Sequence, residues 1–330
     1  MNNDTLFSKE LWQPAPIWLP YKVQKGKEYK IEVKFSAIYD WTDASFKLNI
    51  GREIPVNYDE LINKLKGIDE IIFVGGISPK LEGEEMPIEF HGFKGGDRTN
   101  IELPESQRKC LQVLKKAGKR IIFVNCSGGA IALLPEAESC DAILQAWYGG
   151  QSGGQAVADV LFGDYNPSGK LPVTFYKSSD QLKDFEDYSM KGRTYRFMND
   201  ALFPFGYGLS YSAFKIGEAS FNKTTITDGD TIQLTIPVTN TGKRNGAEVV
   251  QVYIRKANDN GGPLKTLRGF KRIAIQAGKT QQVLIELGFT SFEFFDWSQR
   301  KMMVTPGEYE VYCGNSSDSK DLKMVKVKIL

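Results

Sequence analysis

The stretch that decides the fold is EIIFVGG (residues 70–76), a continuous apolar run that ends in two glycines. Such a run is typical of a strand that is buried in a parallel sheet and leads into a loop. A helical pattern precedes it at residues 56–67, and another follows at residues 104–118, starting with proline and ending with glycine. The alternation continues through KRIIFVNCSGG (119–129), DAILQAWYGG (141–150) and GGQAVADVLFG (153–163). We therefore predict an α/β domain over residues 53–176, with a mostly parallel sheet covered by helices on both faces.

The flanking segments have different patterns. Residues 21–50 alternate like strands but are too few for an independent β domain, so we interpret residues 1–52 as the end of a β module. Residues 177–213 show little periodicity and are predicted to be a connector across the domains. Residues 214–330 lack helical patterns and are predicted to form an antiparallel β sandwich. Its strands include TIQLTIPVTNTG (231–242), AEVVQVYIRKA (247–257), TQQVLIELGF (280–289) and GEYEVYCGN (307–315).

Composition excludes several classes of function. The chain has 330 residues and a net charge of only +2, which favours neither a nucleic-acid partner nor an anionic membrane surface. No run of 18 apolar residues suggests a membrane span, and the first residues do not read as a signal peptide. The four cysteines form no C-x-x-C pair and are expected to be free thiols. Because no dinucleotide or phosphate-loop fingerprint is present either, we expect no metal and no cofactor.

One motif resembles serine-hydrolase chemistry. Residues 150–154, GQSGG, match the G-x-S-x-G nucleophile elbow and lie between a predicted strand and a predicted helix. An elbow serine such as Ser152 needs a histidine base later in the chain, and the single histidine, His91, precedes it. We interpret the motif as a tight glycine turn and keep an esterase as a minor alternative.

The loop after the first strand carries an unusual density of carboxylates. Glu82, Glu84 and Glu85 occupy three of four consecutive positions directly after a strand end, where ligands of parallel sheets gather. Mutual repulsion favours a proton on one of them near neutral pH, which is the state that a general acid needs. Taken alone, a run of this kind is more often a solvated acidic turn.

A series of longer motifs resembles the C-terminal portion of glycoside hydrolase family 3. In the α/β region and connector the motifs are WYGGQSGG (147–154), ADVLFGD (158–164), NPSGKLP (166–172), RTYRF (193–197) and LFPFGYGLSY (202–211). In the tail they are VTNTG (238–242), EVVQVY (248–253), LRGFK (267–271) and PGEY (306–309), which resemble the family's fibronectin type III-like domain. Residues 1–52 are weakly similar to the end of the protective-antigen-like module that some members insert.

The resemblance implies a retaining β-glycosidase that releases terminal residues. Its nucleophile would be an aspartate on a (β/α)8 barrel domain, which this chain lacks. The acid/base would be a glutamate in the loop LEGEE (81–85), and alignment favours Glu84, with Glu82 and Glu85 as alternatives. His91, Asp97 and Arg98 are candidate substrate contacts, although Asp97 and Arg98 could instead brace the loop.

The resemblance leaves several points open. Both β-D-xylosides and β-D-glucosides are candidate substrates. The chain alone is expected to be nearly inactive, because one carboxylate cannot carry out a double displacement. The barrel would come from a longer parent protein or from a partner chain. Family members are often periplasmic or extracellular, and a non-catalytic scaffold or carbohydrate-binding module is the alternative function.

Overall fold

The computed structural model describes residues 19–34, 48, 50–51, 54–82 and 89–330. Its first half is built around the predicted alternation of strands and helices. The elements are α1 (Tyr58–Lys64), β1 (Glu70–Gly76), β2 (Glu89–Phe90), β3 (Phe93–Lys94), β4 (Asp97–Arg98), α2 (Glu105–Lys116), β5 (Arg120–Cys126), α3 (Leu134–Ser139), β6 (Ala142–Gln145) and α4 (Gly153–Phe162).

Strands β1, β5 and β6 form a parallel sheet in that order. On one face, Ile121 and Phe123 of β5 are fully buried in one cluster with Leu111 and Leu114 of α2. The parallel sheet and its helices confirm the predicted α/β class. The opposite face is not covered along β1, where Val74 is 66% exposed, and there the prediction of two covered faces was wrong.

Two features of this half were not predicted. Strands β2, β3 and β4 form a small antiparallel meander, and α3 covers only Leu134–Ser139. Each of these strands has two residues, which is too short to produce a hydrophobic period. The meander is nevertheless important, because its last strand carries Arg98 to the edge of the parallel sheet.

The β module predicted for residues 1–52 falls mostly outside the described residues. Within residues 19–34 the chain makes one turn, closed by Lys27 N–H donating to the Gln24 carbonyl, and has no strand. Ile31 and Val33 are exposed, because no neighbouring described strand offers a ladder or an apolar face to them. The expectation of strands over residues 21–34 was therefore wrong.

The connector at residues 177–213 contains a 3₁₀ turn (Ser179–Gln181) and a short helix, α5 (Thr194–Phe197). Its aromatic residues contact both halves of the molecule, since Phe203 packs edge-on to Phe175 of the α/β half with ring centroids 6.3 Å apart. Tyr195 stacks on Phe205 with ring centroids 4.4 Å apart, and its hydroxyl accepts from the backbone N–H of Leu267 in the second half.

The second half is a β sandwich, as predicted. One sheet has the order β13–β10–β7, with β8 also paired to β10, and the other has the order β12–β11–β16–β17–β9. All pairings are antiparallel except that of β17 with β9. The strands are β7 (Phe214–Ile216), β8 (Ser220–Phe221), β9 (Thr225–Ile226), β10 (Thr231–Asn240), β11 (Gly246–Lys256), β12 (Thr266–Ile275), β13 (Thr280–Gly288), β14 (Phe294–Asp296), β15 (Lys301–Met303), β16 (Gly307–Gly314) and β17 (Lys323–Ile329).

A buried ion pair joins the two halves. Nζ of Lys170, in the NPSGKLP motif, lies 2.8 Å from Oε1 of Glu248 on β11, and both side chains are at least nine-tenths buried. Lys170 also donates to the Gly208 carbonyl. The motifs that carry the family resemblance therefore include contacts between the two halves, and not only candidate site residues.

Candidate functional site

The candidate site lies where the three parallel strands end. The loop after β1 carries Glu82, the loop after β5 carries Gly128, and the loop after β6 carries Tyr148. The carboxyl ends of parallel strands meet at one edge, which is the usual place for a ligand in an open α/β sheet.

The start of the first loop is held firmly. Gln107 of α2 accepts from the Gly76 N–H and donates to the Gly76 carbonyl, both at 2.8 Å. Ile77 N–H donates to the Cys126 carbonyl at 2.9 Å. A Cβ on Gly76 would lie 2.0 Å from that carbonyl oxygen, and the residue has φ of 126°, so only glycine fits here. These contacts fix the position of the Ile77 carbonyl, which takes part in the site.

Glu82 and Tyr148 are joined by a short hydrogen bond. Oη of Tyr148 lies 2.6 Å from Oε2 of Glu82 and 2.7 Å from the carbonyl oxygen of Ile77. Burial, together with the hydrogen bond to Glu82, raises the pKa of Tyr148 to about 12, although hydrogen bonding from the Gly128 backbone opposes this rise. The phenol therefore keeps its hydrogen at neutral pH.

Arg98 completes the cluster from the meander. Its Nη1 lies 3.6 Å from Oε1 of Glu82 and donates to the Ala130 carbonyl at 3.2 Å. Its Nη2 is buried and has no hydrogen-bond partner among the described residues. Burial lowers the pKa of Arg98, and the Glu82 carboxylate opposes this shift. The cluster thus contains a carboxyl group, a phenol and a guanidinium with a donor to spare.

Gly128 provides the space in which Tyr148 and Glu82 meet. A Cβ at this position would lie 2.7 Å from Cε2 of Tyr148 and 3.2 Å from Oε2 of Glu82. A distance below 3.0 Å is not tolerated without movement, so a side chain here would displace the tyrosine ring. At the neighbouring Gly129, a Cβ would find its nearest atom 3.8 Å away.

The structure brings some of the predicted site residues together and not others. Arg98 and Glu82 meet, whereas Asp97 and His91 are exposed on the meander. Glu84 and Glu85 lie outside the described residues. Of the two adjacent aromatics after β6, Trp147 packs edge-on to buried Phe175 at 6.1 Å, and Tyr148 reaches the cluster.

Sequence reasoning missed the contact between Tyr148 and Glu82 and the role of Gly128. The available signal was that both residues follow predicted strand ends. Within the described ranges, no group of three His, Cys, Asp or Glu side chains is arranged to hold a metal ion. All four cysteines are free thiols, as predicted.

Comparison with known proteins shows the family. The glycosyl hydrolase family 3 C-terminal domain matches residues 21–211, and the fibronectin type III-like domain matches residues 248–317. The chain therefore belongs to glycoside hydrolase family 3, and its second half belongs to the fibronectin type III-like class of β sandwich. Both assignments confirm the resemblance found in the sequence.

Named relatives include β-xylosidases and β-glucosidases. A xylan 1,4-beta-xylosidase of Xylanibacter ruminicola is 55% identical over 329 residues, which is 100% of this chain and 38% of that protein. A periplasmic beta-glucosidase of Salmonella typhimurium is 35% identical over 273 residues, covering 78% of this chain and 34% of the relative. The chain thus spans less than two-fifths of the length of these curated relatives.

Solved structures of family members have the same fold. A β-glucosidase from Erythrobacter marinus superposes with a TM-score of 0.71 at 34% identity, covering 83% of this chain and 36% of that one. A beta-glucosidase from Listeria innocua in complex with isofagomine gives 0.69 at 26% identity, covering 82% and 38%.

Proposed function

We propose that this chain is the C-terminal part of a retaining, exo-acting β-glycosidase that hydrolyses terminal β-D-xylosyl or β-D-glucosyl residues. The observation that carries the proposal is the cluster of Glu82, Tyr148 and Arg98 at the edge of a family 3 domain where the parallel strands end. The 55% identity with a xylan 1,4-beta-xylosidase over the whole chain favours a xyloside.

The role of this chain would be to supply the general acid/base. A retaining glycosidase needs two carboxyl groups about 5–5.5 Å apart, one to attack the anomeric carbon and one to protonate the leaving oxygen. The acid/base then removes a proton from the water that releases the sugar. The aspartate nucleophile would lie on a barrel domain of a longer protein, facing the edge that carries Glu82.

Among the three candidate glutamates we propose Glu82, the one that lies within the described residues. Its carboxyl group is about four-fifths buried, has a phenol at one oxygen and faces a guanidinium at the other. A general acid needs a carboxyl group that is held in a fixed position beside the leaving oxygen. The motif alignment favoured Glu84, and Glu84 and Glu85 remain the alternatives. The free Nη2 of Arg98 is a suitable donor to a sugar hydroxyl, and His91 and Asp97 are candidate contacts further out.

The test is a comparison of three variants, Glu82→Gln, Glu84→Gln and Glu85→Gln, in the full-length protein that contains this chain. We expect Glu82→Gln alone to lower kcat, by about 10²- to 10⁴-fold, on 4-nitrophenyl β-D-xyloside or β-D-glucoside. Loss of activity in Glu84→Gln or Glu85→Gln, with Glu82→Gln active, would reassign the acid/base. The isolated 330-residue chain should show no turnover.

Two further parts of the proposal concern organisation and location. We propose the division into residues 1–52, 53–176, 177–213 and 214–330, which limited proteolysis would test at its boundaries. We also propose that the parent protein is periplasmic or extracellular, which the periplasmic relative supports. No helix in the described part of the chain has the length and apolar character that a membrane span requires.

A further inference from the structure

Tyr148 has more neighbours at its oxygen than one hydrogen can serve. The Ile77 carbonyl oxygen lies 2.7 Å away and can only accept, while Oε2 of Glu82 lies 2.6 Å away. A phenol carries a single hydrogen, so it cannot donate to both oxygens at full strength. If it donates to Ile77, the contact with Glu82 is a hydrogen bond only when Glu82 carries the proton. If Glu82 is ionised, the phenol must donate to Glu82.

We propose that Tyr148 is a positioning residue that holds Oε2 of Glu82 in one place through both protonation states. With Glu82 protonated and no substrate bound, Tyr148 accepts from Glu82 and donates to the Ile77 carbonyl. With Glu82 ionised, the hydrogen of Tyr148 turns to the carboxylate. The inference rests on the proposed function, because it assigns this task to the acid/base of that reaction.

The proposed reaction requires such a residue. In the first step the Glu82 proton leaves its hydrogen bond with Tyr148 and moves to the glycosidic oxygen, the bond from that oxygen to the anomeric carbon breaks, and the nucleophile bonds to that carbon. In the second step Glu82 takes a proton from water, the water oxygen bonds to the anomeric carbon, and the bond to the nucleophile breaks. Glu82 is protonated before the first step, ionised between the two steps, and protonated again at the end.

The surroundings favour this role over simple packing. Tyr148 is 40% exposed, unlike the neighbouring Trp147, which packs against the core. Its ring rests on Gly128, where a Cβ would lie 2.7 Å from the ring. Among the described residues, the charged or titratable groups that face Glu82 are Tyr148 at Oε2 and Arg98 at Oε1. Arg98 keeps its charge throughout, so only Tyr148 can change its hydrogen bond when Glu82 changes state.

The main test is Tyr148→Phe in the full-length protein, assayed with two leaving groups. For an alkyl or sugar leaving group, which needs the acid, we expect kcat to fall about 10- to 100-fold, the range of one hydrogen bond to a charged group. For a 2,4-dinitrophenyl glycoside, which leaves without help, glycosylation should change less than about threefold. The alkaline limb of the pH profile should move to higher pH, because the ionised Glu82 loses a donor.

The control is Tyr165→Phe, which removes the hydroxyl that accepts from Arg272 at the junction with the sandwich, outside the site. This variant should leave kcat with both leaving groups and the pH profile unchanged. Replacement of Tyr148 by 3-fluorotyrosine preserves the ring and the hydroxyl but makes the phenol a stronger donor. It should move the alkaline limb to lower pH, opposite to the phenylalanine variant, and it keeps the test valid if Tyr148→Phe does not fold.

The outcomes separate the two proposals. If Glu82→Gln is fully active, the proposed acid/base is wrong and the role of Tyr148 falls with it. If Glu82→Gln is inactive but both Tyr148 variants leave the alkaline limb in place, only the positioning role is refuted. If Tyr148→Phe lowers kcat equally for both leaving groups and does not move the alkaline limb, Tyr148 only supports the fold.

Discussion

Replacing Arg108 by methionine should be among the most damaging single changes in the α/β half. Arg108 lies on α2, and its Nε and Nη2 donate to the two oxygens of Glu136 on α3 at 2.8 and 3.2 Å. Its Nη1 donates to Glu102 at 2.8 Å, and Nη2 also reaches the Ala132 carbonyl at 3.0 Å. The variant would leave all three groups without this donor.

The magnitude follows from the burial of each partner. Glu136 is 1% exposed, so water cannot replace the guanidinium, and breaking a buried pair by removing one partner costs about 3–5 kcal/mol. Glu102 is partly exposed and keeps two hydrogen bonds from Ser179. The loss of its ion pair with Arg108 therefore adds only about 0–1 kcal/mol. We expect Arg108→Met to lower the free energy of unfolding by about 4 kcal/mol.

Urea unfolding followed by far-UV circular dichroism measures the change in the free energy of unfolding. The matched control is Arg120→Met. Arg120 pairs with Glu70 at 2.7 Å, but both side chains are more than half exposed, so this loss should be about 0–1 kcal/mol. The double variant Arg108→Met/Glu136→Leu should recover more than half of the loss, because it leaves no unpaired buried charge. If Arg108→Met costs no more than Arg120→Met, the reasoning from burial is wrong.

Two further predictions concern Glu102, which pairs with Arg108, and Gly128 of the candidate site. Burial acts to raise the pKa of Glu102, but hydrogen bonds from Arg108 and Ser179 outweigh it and hold this pKa below its usual range. The stabilisation by Glu102 is therefore complete above the ordinary glutamate pKa of about 4.3 and is lost at lower pH. The urea midpoints of wild type and Glu102→Gln should differ at pH 7 and approach each other as the pH falls below about 4.3; a gap that does not narrow with falling pH would contradict this. In the full-length protein, Gly128→Ala should lower kcat/KM about 10- to 100-fold by displacing Tyr148, and Gly129→Ala should stay within about twofold. Equal effects of the two alanines would show that Gly128 has no special place in the site.

The sequence was sufficient for the parts of the fold that depend on a repeating pattern. Strand β1 and helix α2 were placed within one or two residues, because a buried apolar run and a capped amphipathic helix leave clear periods. The β sandwich was recognisable for the same reason, with β10 alternating buried and less buried residues along its length. The short strand β4 has no period to detect, so the path that brings Arg98 to Glu82 was not predictable.

The sequence could propose a place for the candidate site but not its contacts. Strand ends in a parallel sheet point to one edge, and this rule located the loop of Glu82 without further information. It does not say which carboxylate meets Tyr148, because that depends on contacts between loops that are 66 residues apart in the chain. Nor does it show that Glu136 is buried beneath Arg108, since an acidic residue in a short helix usually faces solvent.

Trp147 and Tyr148 are adjacent in the chain but have different surroundings, which the sequence alone could not predict. Trp147 has φ of 57°, a left-handed conformation that costs a bulky residue on the order of 1–3 kcal/mol. Such a turn changes the direction of the chain just after β6, where the Trp147 ring packs on Phe175 and the Tyr148 hydroxyl reaches Glu82. Partial burial of the indole against the core offsets this strain, since a large aromatic side chain gains a comparable free energy when it leaves water. The tryptophan thus holds in place a backbone conformation that directs its neighbour to Glu82, which is the arrangement expected if the proposed site stores backbone strain.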